Sequence, residues 1–144
     1  MRRRQFLLAL PLALVAGAAV AAEGKPASGQ YVDVAPVALP IVVNNRVINY
    51  VFVTARVNLA GSVNAPKLRE KEPYFRDALV RAGHRTPFTR SDDYTKIDRA
   101  KLSASLMRDA AAIVGPGVVV SVDVVSETPK QSSGLPRPPG RPAR

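Results

Sequence analysis

The sequence predicts an α+β domain in which helices cover one face of a small, mostly antiparallel sheet, and three observations carry that prediction. Two apolar runs flank Asn44-Asn45, and asparagine tolerates the positive φ that a two-residue hairpin turn requires. Two later stretches repeat apolar residues at helical spacing, and a valine-rich run near the end has strand character. The resulting order, strand, strand, helix, helix, strand, belongs to an antiparallel sheet with its helices segregated to one side.

The chain starts MRRRQFLLALPLALVAGAAVAAE. Arg2, Arg3 and Arg4 form a positive n-region, and Phe6 to Ala22 carry no charge, which is the layout of an export signal. The run is slightly short of the roughly 20 apolar residues that span a bilayer, Pro11 interrupts it, and residues 17–22 are small apart from Val20. Residues 1–22 therefore read as a signal peptide with cleavage at Ala19-Val20-Ala21 or one register on, after Ala22; a retained N-terminal anchor is the alternative. Arg3-Arg4-Gln5-Phe6-Leu7 matches the core of a twin-arginine export signal at Arg3, Arg4, Phe6 and Leu7. Arg2 stands before the pair in place of Ser or Thr, and Leu8 stands where Lys is common, so the general secretory route stays open. Either route leads to the bacterial cell envelope, and the predicted location is the periplasm, soluble or held at the inner membrane.

Residues 23–30 form a short linker, leaving a single domain over 31–127 and a tail over 128–144. In the second arm of the hairpin, Val47, Val51, Val53, Ala55, Val57 and Leu59 fall on one face with Asn49 as the exception, while Thr54, Arg56 and Asn58 fall on the other. That other face begins with Ile48, Tyr50 and Phe52, so the near half of the strand is apolar on both sides. These three residues are the candidate interaction surface. Leu68, Phe75, Leu79 and Ala82 then mark one helical face, broken near Glu72 or restarted at Pro73, which cannot supply the amide bond back to Arg69. Gly83 is the predicted stop. Asp98 can cap the next helix, with Leu102, Leu106, Ala110 and Ile113 as its buried stripe and Gly115-Pro116 as its end. Val118, Val120, Val122 and Val124 alternate in the last strand.

The tail TPKQSSGLPRPPGRPAR is rich in proline and has one large apolar residue, Leu135. It reads as disordered or polyproline-like, and its basic residues suit an anionic membrane surface. Net charge is +10, but Arg2 to Arg4 and the tail supply most of it, and residues 23–127 hold only +3. The basic side chains between are spread among acidic neighbours without a dense aromatic-interleaved patch, so nucleic acid is not a predicted partner.

With no cysteine in the chain, a c-type haem, a thiolate zinc site and a cysteine nucleophile are all excluded. His84 is the single histidine and suits the C-terminus of a helix. Asp92-Asp93 are sequence neighbours on a loop and usually point apart; Ser103 and Ser105 have no base nearby. No hydrolase, metalloprotease, Walker or dinucleotide motif is present. The reading is a non-enzymatic protein without cofactor or metal.

Pro73-Tyr74-Phe75-Arg76-Asp77-Ala78-Leu79, together with the order of elements, resembles the periplasmic domain of the FliL family of flagellar basal-body-associated proteins. The resemblance covers roughly residues 31 to 127. It includes Val57-Asn58-Leu59 at the end of the hairpin strand, Phe75 before the Arg76-Asp77 pair, and the Val-rich strand over Gly117 to Val125. It implies a fold related to the stomatin-like (SPFH) domains, lateral homo-oligomerisation into rings, and partners among the inner-membrane stator proteins of the flagellar motor. A soluble periplasmic binding module, with its ligand against Tyr50 and Phe52, is the competing reading from the residues themselves.

Overall fold

Asn44 and Asn45 adopt φ of 49° and 61°, the left-handed pair that lets a two-residue turn follow the natural twist of its strands. The turn joins β1 (Tyr31–Val43) to β2 (Arg46–Leu59) as an antiparallel hairpin. In this computed structural model, which describes residues 29–139, β2 also pairs antiparallel with β3 (Val119–Pro129). The sheet has three strands in the order β1-β2-β3 among the described residues. The expected export signal, the cleavage positions Ala19, Ala21 and Ala22, and most of the linker lie outside the described residues, as do residues 140–144.

Three helices complete the α+β fold among the described residues: α1 (Ala65–Arg69), α2 (Glu72–Arg85) and α3 (Arg99–Val114). Asn64 caps α1, accepting from the Lys67 amide. The chain breaks after Arg69 and restarts with Pro73 in the first turn of α2, where its missing N–H costs no bond. The second helix packs on β1, α3 packs on β3, and the two helices pack on each other. The sheet is thus covered on one face and open on the other.

The core lies between these layers. Val51, Val53, Ala55, Val57 and Leu59 of β2 are buried against Phe75 and Leu79 of α2 and Leu102, Leu106 and Ala110 of α3. Asp98 caps α3, accepting from the Lys101 amide at 3.0 Å, and Gly115 ends it at φ 97°. Gly83 does not stop α2, which runs to Arg85 with Thr86 as its cap. The glycine serves a close approach instead: a Cβ there would stand 2.7 Å from Leu39 Cδ2.

Bulges correct the simple alternation expected of the strands. The register steps from Val34 opposite Ala55 to Val37 opposite Val53; this extra residue in β1 keeps both Val34 and Val37 inward. In β3, Ser121 pairs with Asn58 and Val119 with Leu59, so Val120 is extruded and 63% exposed, while Val119 and Val122 are buried. The expected alternation of Val118, Val120, Val122 and Val124 breaks at Val120 for that reason, while Val122 is buried and Val124 packs against the core. Val47 is likewise exposed, because β2 bulges between its pairings with Val42 and Ile41.

The boundary at residue 127 and the free tail beyond it also need correction. Ladder pairing continues to Pro129 opposite Val51, and the Lys130 amide still donates to Tyr50 O at 2.8 Å. Leu135 packs against the core and Pro138 is buried. The anchor for this segment is Asn49, itself 4% exposed. Its Nδ2 donates to Tyr94 O at 3.1 Å and Gln131 O at 2.9 Å, and its Oδ1 accepts from the amides of Tyr50 and Gln131. The apparent exception on the packing face of β2 is the residue that ties the chain end and the 92–97 loop together.

Candidate functional site

The open face of the sheet is organised in rows set by the strand register. Tyr31, Asn58 and Ser121 form one row, and Asp33, Arg56 and Asp123 the next. Further along, Ala38, Phe52 and Thr128 align, and Pro40 stands opposite Tyr50. Alternation along β2 puts its polar side chains at one end of this face and its aromatic ones at the other.

The polar end is internally paired. Arg56 donates Nε to Asp33 Oδ1 at 2.6 Å and Nη2 to Oδ2 at 3.0 Å, and its guanidinium lies 4.0 Å from the centre of the Tyr31 ring. The hydrogen bond to Asp33 holds the Arg56 pKa above its ordinary value. Asn58 donates to Ser121 Oγ at 2.9 Å and to Asp123 Oδ2 at 2.6 Å. A shallow groove of about 390 Å³ runs over these residues. Because Arg56 and Asp33 are both well exposed, this pairing orders the surface more than it stabilises the fold.

At the apolar end, Phe52 is 45% exposed and Tyr50 is half-buried, with Lys130 Nζ 6.0 Å from the Tyr50 ring centre. Ile48 behaves differently. It packs against the core, at the bulge in β2, so the predicted trio reduces to Tyr50 and Phe52 as outward neighbours. Val125 and, at the polar end, Tyr31 add exposed apolar surface; Val125 is the extra residue where Thr54 pairs with Ser126 and Ala55 with Val124. Sequence alternation could not find Val125, since the bulge that extrudes it leaves no periodic signal.

The other residues singled out for chemistry lie apart from this face. His84 Nδ1 contacts Val80 O at 2.9 Å in the last turn of α2. Asp92 receives Arg90, whose pKa is raised by that bond, while Asp93 receives the amide and hydroxyl of Thr95. In these hydrogen bonds the two carboxylates engage different partners. Ser103 donates to Val122 O. Among the described residues, no group of three His, Cys, Asp or Glu side chains could hold a metal ion, and no helix is long and apolar enough to cross a membrane.

Compared with known proteins, the chain matches no protein-family model and no curated protein.

Proposed function

We propose that the domain is a non-enzymatic interaction module of the bacterial cell envelope that self-associates through the open face of its sheet. The reading extends to the FliL-like role of supporting the flagellar motor or a related envelope assembly. The observation that supports it most is the face itself, where Tyr50 and Phe52 stand outward while all described helices pack on the opposite side. Fully burying a phenylalanine contributes about 1.5–3 kcal/mol, so covering the exposed part of Phe52 contributes about 1 kcal/mol per copy. The contact is correspondingly weak.

Sedimentation equilibrium of the purified full chain tests the proposal. Self-association that rises with concentration and is lost in Tyr50→Asp and Phe52→Asp, with folding intact by circular dichroism, is the expected result. A monomer at every accessible concentration, indifferent to both changes, refutes it. The second reading, a soluble periplasmic binding module, draws on the groove beside Tyr31 and Arg56. It gains if the chain stays monomeric and a small molecule shifts resonances of those two residues.

A further inference from the structure

The helical layer carries a separate cavity of about 250 Å³ between the end of α2 and residues 101–108 of α3. Arg85, Lys101 and Arg108 line it together with Thr86 and Ser105, and Phe88 closes one wall. No carboxylate is among its lining residues. This separates it from the larger cavity beside Arg90 and Arg99, where Asp92 and Asp98 also stand.

Arg56, Arg76, Arg81, Arg90 and Arg99 each have a carboxylate partner within 4.0 Å. The two arginines of the cavity, Arg85 and Arg108, like Arg46, Arg69 and Arg137, lack a carboxylate partner among the described residues, and Lys101 has only a long contact to Asp98 at 3.8 Å. Ser105 provides an independent observation. It is 7% exposed, yet its hydroxyl makes no hydrogen bond within the described residues. Every fully enclosed polar side-chain atom there has a partner, so the Ser105 hydroxyl must reach open space, and the space it lines is this cavity. The carbonyl end of α2 contributes roughly half a negative charge, which three full cations outweigh.

We propose that this cavity is an anion-binding site for a phosphate-bearing ligand, with Arg85 and Arg108 as its two principal donors, Lys101 adding charge and the Ser105 hydroxyl donating from the floor. Guanidinium forks match phosphate oxygens in pairs, and charge-assisted bonds are about twice as strong as neutral ones. The site lies in the layer opposite the open sheet face and does not depend on self-association.

The test is an NMR titration of the ¹⁵N-labelled full chain with inorganic phosphate, run beside vesicle flotation with phosphatidylglycerol or phosphatidylcholine. Saturable shifts at the amides of Thr86, Ser105 and Arg108 are expected, with about tenfold weaker binding in Arg85→Gln or Arg108→Gln. Ser105→Ala should weaken binding less, and Arg76→Gln should leave it unchanged. Saturation by phosphate alone identifies a free phosphate compound as the ligand. Flotation with phosphatidylglycerol that needs Arg85 and Arg108, in the absence of saturation by phosphate, identifies a lipid headgroup. Non-saturating shifts spread over all arginines, together with flotation indifferent to Arg85→Gln and Arg108→Gln, overturn the proposal.

Discussion

Replacing Asn49 by alanine should cost more stability than any single change on the sheet's open face. Four hydrogen bonds disappear at once, those to Tyr94 O and Gln131 O and those from the Tyr50 and Gln131 amides. The two at Gln131 and the one from the Tyr50 amide are part-buried, so water recovers some of their energy and together they count as about 2 kcal/mol. Tyr94 O lies deeper, and leaving it unsatisfied costs a further 1–3 kcal/mol, roughly, bringing the expected total to about 3–5 kcal/mol. Against the roughly 5–15 kcal/mol of an ordinary domain this is a large fraction. Urea unfolding of the full chain followed by circular dichroism measures it, and amide exchange at Gln131 localises it. Gln131 should lose protection while Val51 and Val53 keep theirs relative to global stability. Asn49→Asp provides the near-isosteric version, since it keeps the shape but has no N–H to offer the two carbonyls. An Asn49→Ala variant within about 0.5 kcal/mol of the parent, with Gln131 exchange unaltered, would refute the claim that this side chain holds the C-terminal segment.

Three further outcomes follow from the same geometry. Phe75→Ala should lose about 3–5 kcal/mol of stability in urea, because Phe75 is fully buried, whereas Arg76→Ala, which breaks only a 3.8 Å surface contact to Glu72, should stay within about 0.5 kcal/mol. Gly83→Ala should melt below the parent despite the roughly 1 kcal/mol gain in helix propensity; the new methyl meets Leu39, and overpacking costs about 1–3 kcal/mol. Mass spectrometry of the protein recovered from its envelope should find an N-terminus at Ala22 or Glu23, and Arg3-Arg4→Lys-Lys should block export if the twin-arginine route is used; an intact start in the membrane fraction would refute cleavage.

The parts of the fold legible in the sequence are those governed by local chemistry. Asn44-Asn45 gave the hairpin, Pro73 the break between α1 and α2, Asp98 the cap of α3, and the spacing of Phe75 and Leu79 the buried side of α2. The misreadings arose where a local pattern was outweighed by packing. Gly83 has the chemistry of a helix end, but at its position the neighbour is Leu39 of another element. Val120 and Ile48 fit perfect alternation, but bulges reset the phase, and nothing in a run of valines marks where an extra residue goes. Composition makes the tail look free, because it cannot register that Asn49, many residues away, presents both a donor and an acceptor to Gln131. On the open face, Tyr50 and Phe52 were legible from parity, and Ile48 was misplaced by one bulge.

An exposed sheet face raises the question of why such a domain would associate by that face and not by its edges. On β1 the outer edge is already occupied: the Ala35 amide donates to Glu72 Oε1 and the Val42 amide to Thr89 Oγ1, each at 2.9 Å. Pro40, two residues before Val42, presents the same side of the strand and has no N–H to offer. On β3, bulges at Val120 and Val125 break the flat run that a new strand would need, and Ser103 takes up Val122 O. Natural sheets blunt their edges by these same devices. Association is left to the face, where Phe52 contributes about 1 kcal/mol per copy, small beside the several kcal/mol lost in bringing two free molecules together, so self-association in solution requires high concentration. The N-terminal stretch therefore bears directly on function. Retained as an anchor, it would confine copies to one membrane at an effective concentration in the millimolar range, where a weak contact suffices. Cleaved, it would leave self-association to high protein concentration, unless a partner supplies the missing surface.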